Sequence, residues 1–314
     1  MNVAGEGTML NGWLVIDKPE GPGSTQIVSA VKRALREGGY ARTKVGHGGT
    51  LDPLASGVLP VALGEATKLS GHMLGARKAY EFTIAFGAET DTLDREGEVV
   101  ATSDCRPTLA QIEALLPRFT GAIEQVPPAY SALKIGGKPA YARVRAGEAV
   151  AMRSRAVTIH SLSIAPAARE AARDGRAGEA LSSTTLLAHV SKGTYIRSLA
   201  RDIALALGTV GQVTFLRRLQ AGPFTLEAAI SLDKLSELAH GRQLEQALLP
   251  LTAGLDDIPA LAVTPDQARL LRQGQRLAGI AAKPGLHLAT ECSVPVALVE
   301  LSEGELRVVR GFNL

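Results

Sequence analysis

The most informative part of this sequence is a glycine-dense stretch that reads Val45-Gly46-His47-Gly48-Gly49-Thr50-Leu51-Asp52-Pro53-Leu54-Ala55-Ser56-Gly57. Glycine at this density lets the backbone approach a ligand closely. Asp52 stands among apolar neighbours, and a carboxylate kept ionised there by a positive partner is a competent nucleophile or base. Aspartate is also a common turn residue, because its side chain bonds the backbone that follows it. The local sequence therefore leaves a catalytic role and a turn-forming role open.

Around this stretch, the spacing of apolar residues predicts an α+β domain. Apolar runs predict strands over 12–16, 79–86 and 184–190. A 3.6-residue apolar period predicts a helix that Ser24-Thr25 cap and Gly38-Gly39 end, and further helices over 108–119 and 194–207. The stretch from Arg169 to Ser183 is rich in Ala, Arg and Gly without periodicity, which predicts an exposed loop.

The last part of the chain has a different pattern. Pro250, Gly254 and Pro259 cluster after a helical stretch, and short strand-like segments follow, among them 294–300 and 304–309. Such alternation of strands and turns predicts a small β-rich unit. We therefore expect two domains, a catalytic domain over 1–250 and a C-terminal domain over 251–314.

Composition favours a globular protein of a reducing compartment. Of the 314 residues, 46% are hydrophobic and 21% charged, and no apolar run is long enough to span a membrane. The first residues lack the pattern of a secretory signal. Cys105 and Cys292 are far apart and lack metal-ligand spacing. We expect a cytoplasmic protein with no membrane contact, and a monomer by default.

Positive charge is concentrated in the middle of the chain. Residues 130–160 carry six Lys or Arg against Glu148, and 190–220 carry five against Asp202, whereas 227–314 carry eight basic and eleven acidic residues. A polyanion such as RNA is a natural partner for such a region, because binding releases the counterions of its phosphates. Solvated surface arginines explain the same charge equally well.

A second candidate segment is Ser191-Lys192-Gly193-Thr194-Tyr195-Ile196-Arg197, at a predicted junction of strand and helix. Backbone N–H groups at a helix start favour anions, so a phosphate or a carboxylate suits Arg197 as a partner. Paired with Asp52, Arg197 would keep that carboxylate charged. A surface arginine without function is the simpler alternative.

Three other patterns carry no chemistry. Ser131 and Lys134 match the S-x-x-K of serine acyl-transfer enzymes, but the accompanying motifs of that class are missing. The acidic run Asp91–Gly97 lacks EF-hand spacing, and the six histidines include no i, i+4 pair. Phosphate-loop and dinucleotide fingerprints are also missing. The sequence therefore predicts chemistry without a metal or a cofactor.

Taken together, these segments resemble the bacterial tRNA pseudouridine-55 synthases of the TruB type. The match extends in family order from about residue 12 to 224 and includes 12–19, 90–97, 125–134, Gly46-His47 with Gly49-Thr50-Leu51-Asp52-Pro53, Lys78-Ala79-Tyr80, Ser191-Lys192-Gly193-Thr194-Tyr195-Ile196-Arg197 and Leu216-Arg217-Arg218. Gly48 is a departure, because the family usually has threonine there, and we expect it to loosen the loop beside His47.

The resemblance implies a fold and a reaction. The fold would be a mixed, largely antiparallel sheet with flanking helices, and residues 251–314 would form a PUA-like RNA-binding domain. The reaction would isomerise uridine 55 in the T-loop of tRNA after base flipping, with neither metal nor redox cofactor. A related synthase that modifies ribosomal RNA with partner proteins is one alternative. A non-catalytic RNA-binding protein is another.

The resemblance also implies roles for eight residues. Asp52 would be the essential carboxylate, attacking C6 of uracil or C1′ of ribose, with Arg197 as its ionic partner. Tyr80 would stack on the flipped base, and Tyr195 would line the pocket and accept or relay the C5 proton. Four further residues would bind the substrate. His47 would contribute from the loop and Leu216 from the pocket wall. Lys18 and Lys134 would contact phosphates. Arginines between 143 and 155 would add phosphate contacts.

Overall fold

A ten-stranded sheet and a smaller five-stranded sheet form the framework of the chain. The structure is a computed structural model that describes residues 8–174 and 179–314. The strands are β1 (Gly12–Lys18), β2 (Val45–His47), β3 (Ser56–Leu63), β4 (Lys78–Phe86), β5 (Ala88–Thr90), β6 (Val99–Thr102), β7 (Gly121–Gln125), β8 (Lys134–Ile135), β9 (Lys138–Pro139), β10 (Arg155–Ile164), β11 (Ser183–Val190), β12 (Gly211–Ala221), β13 (Phe224–Thr225), β14 (Ala229–Ile230), β15 (Ala260–Ala262), β16 (Leu277–Ala278), β17 (Gly285–Glu291), β18 (Val294–Ser302) and β19 (Glu305–Gly311).

The described chain has eight helices. They are α1 (Ser24–Glu37), α2 (Ser70–Gly75), α3 (Leu109–Leu115), α4 (Ala140–Arg145), α5 (Pro166–Asp174), α6 (Ile196–Ala206), α7 (Leu232–His240) and α8 (Pro265–Arg272). Of these, α1, α6 and α7 pack on one face of the large sheet, and α8 packs on the smaller sheet. Short 3-10 turns lie at Gly64–Leu69, Leu116–Phe119, Leu226–Ala228, Leu244–Ala247 and Leu251–Gly254. No helix in the described ranges is long and apolar enough to cross a membrane.

The large sheet is mixed and mostly antiparallel, as predicted. Its strand order is β14-β1-β3-β12-β4-β11-β10-β7, with β13 paired to β12 and β2 paired to β3. The β1–β14 and β3–β12 pairs are parallel, and the other pairs are antiparallel. Strand β12 therefore joins the two halves of the sheet, and it bulges twice against β4. Bulges re-aim side chains locally and are frequent beside active sites.

Alternation along β1 shows that the sheet is buried on both faces at this edge. Leu14 and Ile16 point into the cluster formed with α1 and α6, whereas Trp13 and Val15 point into a second cluster on the opposite face. All four side chains are at most 1% exposed. Burial of each such side chain contributes about 1.5–3 kcal/mol. This double burial explains the continuous apolar run in the sequence.

The C-terminal β-rich unit that the sequence predicts is present. Its sheet has the order β15-β17-β18-β19-β16, and α8 packs on it. Leu298 and Phe312 of this unit share the second apolar cluster with Trp13. Lys68 Nζ also donates to the Gly311 carbonyl at 2.9 Å. The unit is therefore packed directly against the large sheet.

Three local predictions were wrong in detail. Gly23 is the N-cap of α1, so Ser24 lies inside the helix and bonds elsewhere. Residues 169–174 are helical rather than a loop, and 175–178 of the predicted loop lie outside the described residues. Helix α6 begins at Ile196, two residues later than predicted. Ser24 was misassigned because an N-cap inferred from the sequence takes no account of a hydrogen-bond partner that is distant in the chain and close in the fold.

Candidate active site

The glycine-dense loop of Asp52 is held by buried side chains from distant parts of the chain. The Ser24 hydroxyl donates to the Leu51 carbonyl at 3.0 Å and accepts from the Leu51 N–H at 2.7 Å. Arg218 is 1% exposed. Its guanidinium donates to three carbonyls, those of Val58 at 2.7 Å and of Gly49 and Thr50 at 3.3 Å each. The loop is therefore fixed immediately before Asp52.

Close backbone contact between β3 and β12 requires glycine at position 57. Gly57 has a φ of +99°, and a Cβ atom there would lie 2.2 Å from the Arg218 carbonyl oxygen. Any larger residue would push the two strands apart at the position where Arg218 reaches the loop. The glycine therefore contributes to the placement of Asp52 through backbone packing.

Arg197 joins two carboxylates at the start of α6. Its Nη2 atom lies 2.8 Å from Asp52 Oδ2, and its Nη1 atom lies 3.2 Å from Asp94 Oδ2. The arginine side chain is only 6% exposed. A buried guanidinium facing two carboxylates is a strongly coupled charge group, because low local polarity strengthens each attraction. The structure thus brings together the predicted pair Asp52 and Arg197, and adds Asp94.

The same arginine ties the surrounding segments together. Its Nη1 donates to the Thr92 carbonyl at 2.7 Å, and its Nη2 donates to the Tyr130 carbonyl at 2.9 Å. Arg197 therefore connects the Asp52 loop, the acidic turn at 90–97 and the loop that follows β7. Loss of this side chain would therefore remove a contact from each of the three segments.

A cleft of about 690 Å³ opens beside Asp52. Its walls combine aromatic, apolar and basic side chains, including Tyr80, Tyr195, Leu133, Val157, Val190, Leu216, Lys78, Arg155 and Lys192. Tyr80 follows the alternation of Phe82 and Ile84 along β4, so the cleft lies on the face that the helices cover. Apolar walls with a few convergent polar groups are typical of ligand sites.

A smaller groove of about 280 Å³ lies on the C-terminal unit. Four of its five charged side chains pair with one another, Arg276 with Glu305 at 3.1 Å and Arg307 with Glu300 at 2.5 Å. Because these charges are already compensated, we place the functional site in the larger cleft.

Two buried lysines each donate hydrogen bonds from their ammonium group to three backbone carbonyls. Lys18 Nζ donates to the carbonyls of Pro19, Pro22 and Pro53 at 2.7–3.2 Å, and Lys78 Nζ donates to three carbonyls between residues 73 and 76. Burial lowers the pKa of each lysine to about 8, while Asp52 partly opposes this for Lys18. The Lys18 side chain is fully buried. The predicted phosphate contact of Lys18 is therefore not supported by its position. Lys18 instead holds the Asp52 loop through its hydrogen bond to the Pro53 carbonyl.

The remaining predicted residues divide between the cleft and its surroundings. Tyr80, Tyr195 and Leu216 line the cleft. His47 lies in β2, and its Nδ1 atom is buried without a hydrogen-bond partner in the described chain. Burial lowers the pKa of His47, and the positive charge of Arg218 lowers this pKa further. Lys134 is exposed on the β8–β9 hairpin. The cleft walls described above do not include His47 or Lys134.

Gly48 is tightly packed and does not loosen its loop. It is buried, and its N–H donates to the Pro60 carbonyl at 2.8 Å. A Cβ atom there would approach Met73 Cβ at 2.9 Å. Met73 and Trp13 therefore occupy the space that a larger residue at position 48 would need. The expectation drawn from the departure at this position was wrong.

The sequence reasoning missed three residues of the site, Asp94, Arg218 and Lys78. Asp94 lies in an acidic run that was rejected as a calcium loop and that matches the family, but it had no role assigned, although its side chain is 5% exposed and pairs with Arg197. Arg218 and Lys78 belong to segments that match the family but had no role assigned. A rule that long basic residues inside strands need buried acceptors would have marked both.

Comparisons with known proteins agree with this fold. A chain in the structure of an H/ACA RNP bound to a substrate RNA containing 2'-deoxyuridine has a TM-score of 0.70 at 24% identity, covering 96% of this chain and 85% of that chain. A chain of a Cbf5-Nop10-Gar1 complex has a TM-score of 0.69 at 25% identity, covering 96% and 84%. At these identities the likeness establishes the fold alone.

Sequence relatives are much more similar. The tRNA pseudouridine synthase B of Zymomonas mobilis is 60% identical over 304 residues, covering 97% of this chain and 96% of the relative. That of Novosphingobium aromaticivorans is 61% identical over 308 residues, covering 98% of each. Residues 36–196 match the N-terminal domain of the TruB family pseudouridylate synthases, and 197–256 match the C-terminal domain of tRNA pseudouridylate synthase B.

Fold, cleft and family matches together define the class of this protein as a pseudouridylate synthase. Within that class, the chain belongs to the TruB family.

Proposed function

We propose that this chain isomerises uridine to pseudouridine in tRNA, at position 55 of the T-loop, with Asp52 as the essential carboxylate. The observation that carries the proposal is the pairing of a cleft carboxylate with a buried arginine. Asp52 keeps 38% of its side-chain surface exposed while Arg197 holds it at 2.8 Å. Asp52 is therefore both paired with a cation and open to a substrate. Relatives at 60–61% identity named tRNA pseudouridine synthase B support tRNA as the substrate.

The reaction balances within the substrate. The bond between N1 of uracil and C1′ of ribose breaks, the base turns in the cleft, and a bond from C5 to C1′ forms. C5 loses a proton and N1 gains one, so no oxidant, reductant or co-substrate is consumed. The carboxylate of Asp52 starts this sequence by attacking C6 or C1′, both of which stay open as targets, and the C–O bond that it forms breaks again before the product leaves. The expectation of chemistry without a cofactor follows from this balance.

Two aromatic residues and one apolar residue would hold the flipped base. Flipping costs a few kcal/mol, and stacking on Tyr80 returns about 1–3 kcal/mol per base. Leu216 is 6% exposed and forms apolar wall beside the same cleft. Tyr195, which precedes α6, is the candidate for relaying the C5 proton.

Basic residues around the cleft would position the RNA. Lys134 is exposed on its hairpin, and Lys192 lies in the cleft wall. Contacts of this kind set register on the backbone rather than sequence preference. We further propose that the β-rich unit from 251 to 314 is a PUA-like RNA-binding domain. A monomeric state and a cytoplasmic location stay predictions.

The direct test is an assay of purified protein on unmodified tRNA transcript with no added partner. We expect one pseudouridine, detected by chemical derivatisation and mass analysis of nuclease fragments. A matched transcript with cytidine at position 55 should give none. Product at another uridine would contradict the position, and no product from either transcript would contradict the activity.

The same assay separates the two alternatives. A synthase that needs guide or partner components would leave isolated tRNA unmodified. A non-catalytic RNA-binding protein would bind the transcript with a salt-dependent affinity but form no product. The identities of 60–61% to tRNA enzymes, against 24% to chains of H/ACA assemblies, favour the tRNA reaction.

A further inference from the structure

One cross-strand pair holds the backbone and the ring of Tyr195. Gln125 of β7 and Arg155 of β10 are directly opposite each other in the antiparallel register. Gln125 is 1% exposed. Its Nε2 donates to the Tyr195 carbonyl at 3.1 Å, and its Oε1 accepts from the Tyr195 N–H at 2.8 Å. The side-chain amide thus occupies both main-chain polar groups of the tyrosine.

Arg155 contacts the ring of the same tyrosine. Its guanidinium carbon lies 4.7 Å from the centroid of the Tyr195 ring. Its Nη2 atom donates to the Gly193 carbonyl, in the turn that precedes the tyrosine. A planar guanidinium that stacks on a ring while it donates a hydrogen bond to a neighbouring carbonyl has a fixed orientation. It therefore restrains the orientation of the ring as well as attracting the ring electrostatically. Arg155 and Tyr195 therefore behave as one unit.

The turn at 191–194 also has hydrogen bonds that do not involve Arg155. Ser191 N donates to the Thr158 carbonyl at 2.8 Å, and the Thr194 hydroxyl donates to the Ser191 carbonyl at 3.0 Å. Within the described parts of the chain, no carboxylate forms an ion pair with Arg155. Its charge is therefore directed at the aromatic face and the cleft rather than at an acid.

We propose that Arg155 is a positioning residue for Tyr195. It holds the phenol ring against the cleft wall, while Gln125 fixes the main chain beneath that ring. The inference rests on the proposed function, because it assigns a support to the residue that would relay the C5 proton. Arg155 then acts on the rate of isomerisation rather than on RNA affinity, in contrast to the phosphate contacts predicted between 143 and 155.

The test measures single-turnover pseudouridine formation on T-loop RNA over a range of excess enzyme. This gives a maximal rate and the enzyme concentration at half-saturation. For Arg155→Met we expect a maximal rate about tenfold lower with half-saturation nearly unchanged, because misalignment weakens a proton-transfer step. Arg155→Lys keeps a cation near the ring and should recover part of that loss. Arg118→Met, an exposed arginine elsewhere on the surface, is the control and should match the unaltered protein.

A double-mutant cycle decides whether the effect passes through the ring. In a Tyr195→Leu background, Arg155→Met should cause no further loss of rate, because the group it positions is gone. Multiplicative losses would overturn the proposal. A rise in half-saturation at unchanged maximal rate would also overturn it and indicate a phosphate contact. Unaltered protein that makes no pseudouridine would instead refute the proposed function, so the two failures are distinguishable.

Discussion

Two turns of this protein each present one carboxylate to the same arginine, and their difference separates a reactive group from a supporting one. The glycine-dense loop contributes Asp52 and the acidic turn at 90–97 contributes Asp94, both within 3.2 Å of Arg197. Asp52 keeps 38% of its side-chain surface exposed, whereas Asp94 keeps 5%. Two carboxylates that pair with the same arginine therefore have different roles, because only that of Asp52 faces the cleft.

The two carboxylates also differ in how fully their oxygens are used. Asp94 Oδ1 accepts from the Thr92 hydroxyl at 2.7 Å and from the Glu96 N–H at 3.0 Å. For Asp52, Arg197 is the single side-chain partner within the described chain. A carboxylate whose lone pairs are occupied is a poor nucleophile, and one with free lone pairs can attack. The comparison therefore predicts unequal effects of equal substitutions.

The largest effect is expected at Asp52. Asp52→Asn should lower the single-turnover rate at least about 10⁴-fold, because removing a group that reacts directly leaves only binding and positioning. RNA affinity, measured by filter binding, should stay within a few-fold of the unaltered value. Asp104→Asn, an exposed acid away from the cleft, is the control. Appreciable turnover by Asp52→Asn would contradict the assignment of Asp52 as the essential carboxylate.

Loss of the shared arginine should affect both turns. Arg197→Met leaves Asp94 buried and uncompensated, which costs about 3–5 kcal/mol in the free energy of unfolding. The rate should fall about 10²–10³-fold as the charge and position of Asp52 are disturbed. Urea unfolding and single-turnover assays measure the two effects. Unchanged stability would contradict the buried ion pair.

A smaller effect on rate is expected at Asp94. Asp94→Asn keeps the size of the side chain but removes its charge, so Arg197 keeps Asp52 as its partner. We expect a rate loss of about 10–100-fold and a stability loss of about 1–3 kcal/mol. If Asp94→Asn abolished the reaction as completely as Asp52→Asn, the distinction between the two carboxylates would fail.

The smallest effect is expected at Ser24, which holds the loop beside Asp52. Ser24→Ala removes two hydrogen bonds to Leu51 and should cost about 1–2 kcal/mol of stability, with a modest loss of rate. Ser29→Ala is a matched control in the same helix, because Ser29 is exposed and, among the described residues, its hydroxyl bonds only the Thr25 carbonyl. Because alanine has the higher helix propensity, Ser29→Ala should leave stability unchanged or slightly raised, and equal losses from the two variants would contradict a specific role of Ser24 in loop support.

Prediction from the sequence was most successful where a local pattern dominates. The apolar period of α1 and the apolar runs of β1, β4 and β11 identified those elements to within a few residues. Ser24 shows the limit, because its hydroxyl was predicted to cap a helix and instead bonds Leu51, 27 positions away. Lys18 shows the same limit for charge, since a surface phosphate contact was predicted and the ammonium is fully buried.

The sequence by itself determined the class of fold, the family resemblance and the pairing expected between Asp52 and Arg197, because these follow from periodicity and from ordered motifs. The tertiary structure alone decided that Asp94 shares the arginine, that Arg218 and Ser24 hold the loop, and that Arg155 stacks on Tyr195. Each of these contacts joins residues at least 27 positions apart. Their geometry depends on strand register and on the distribution of buried charge, and neither is encoded in a local pattern.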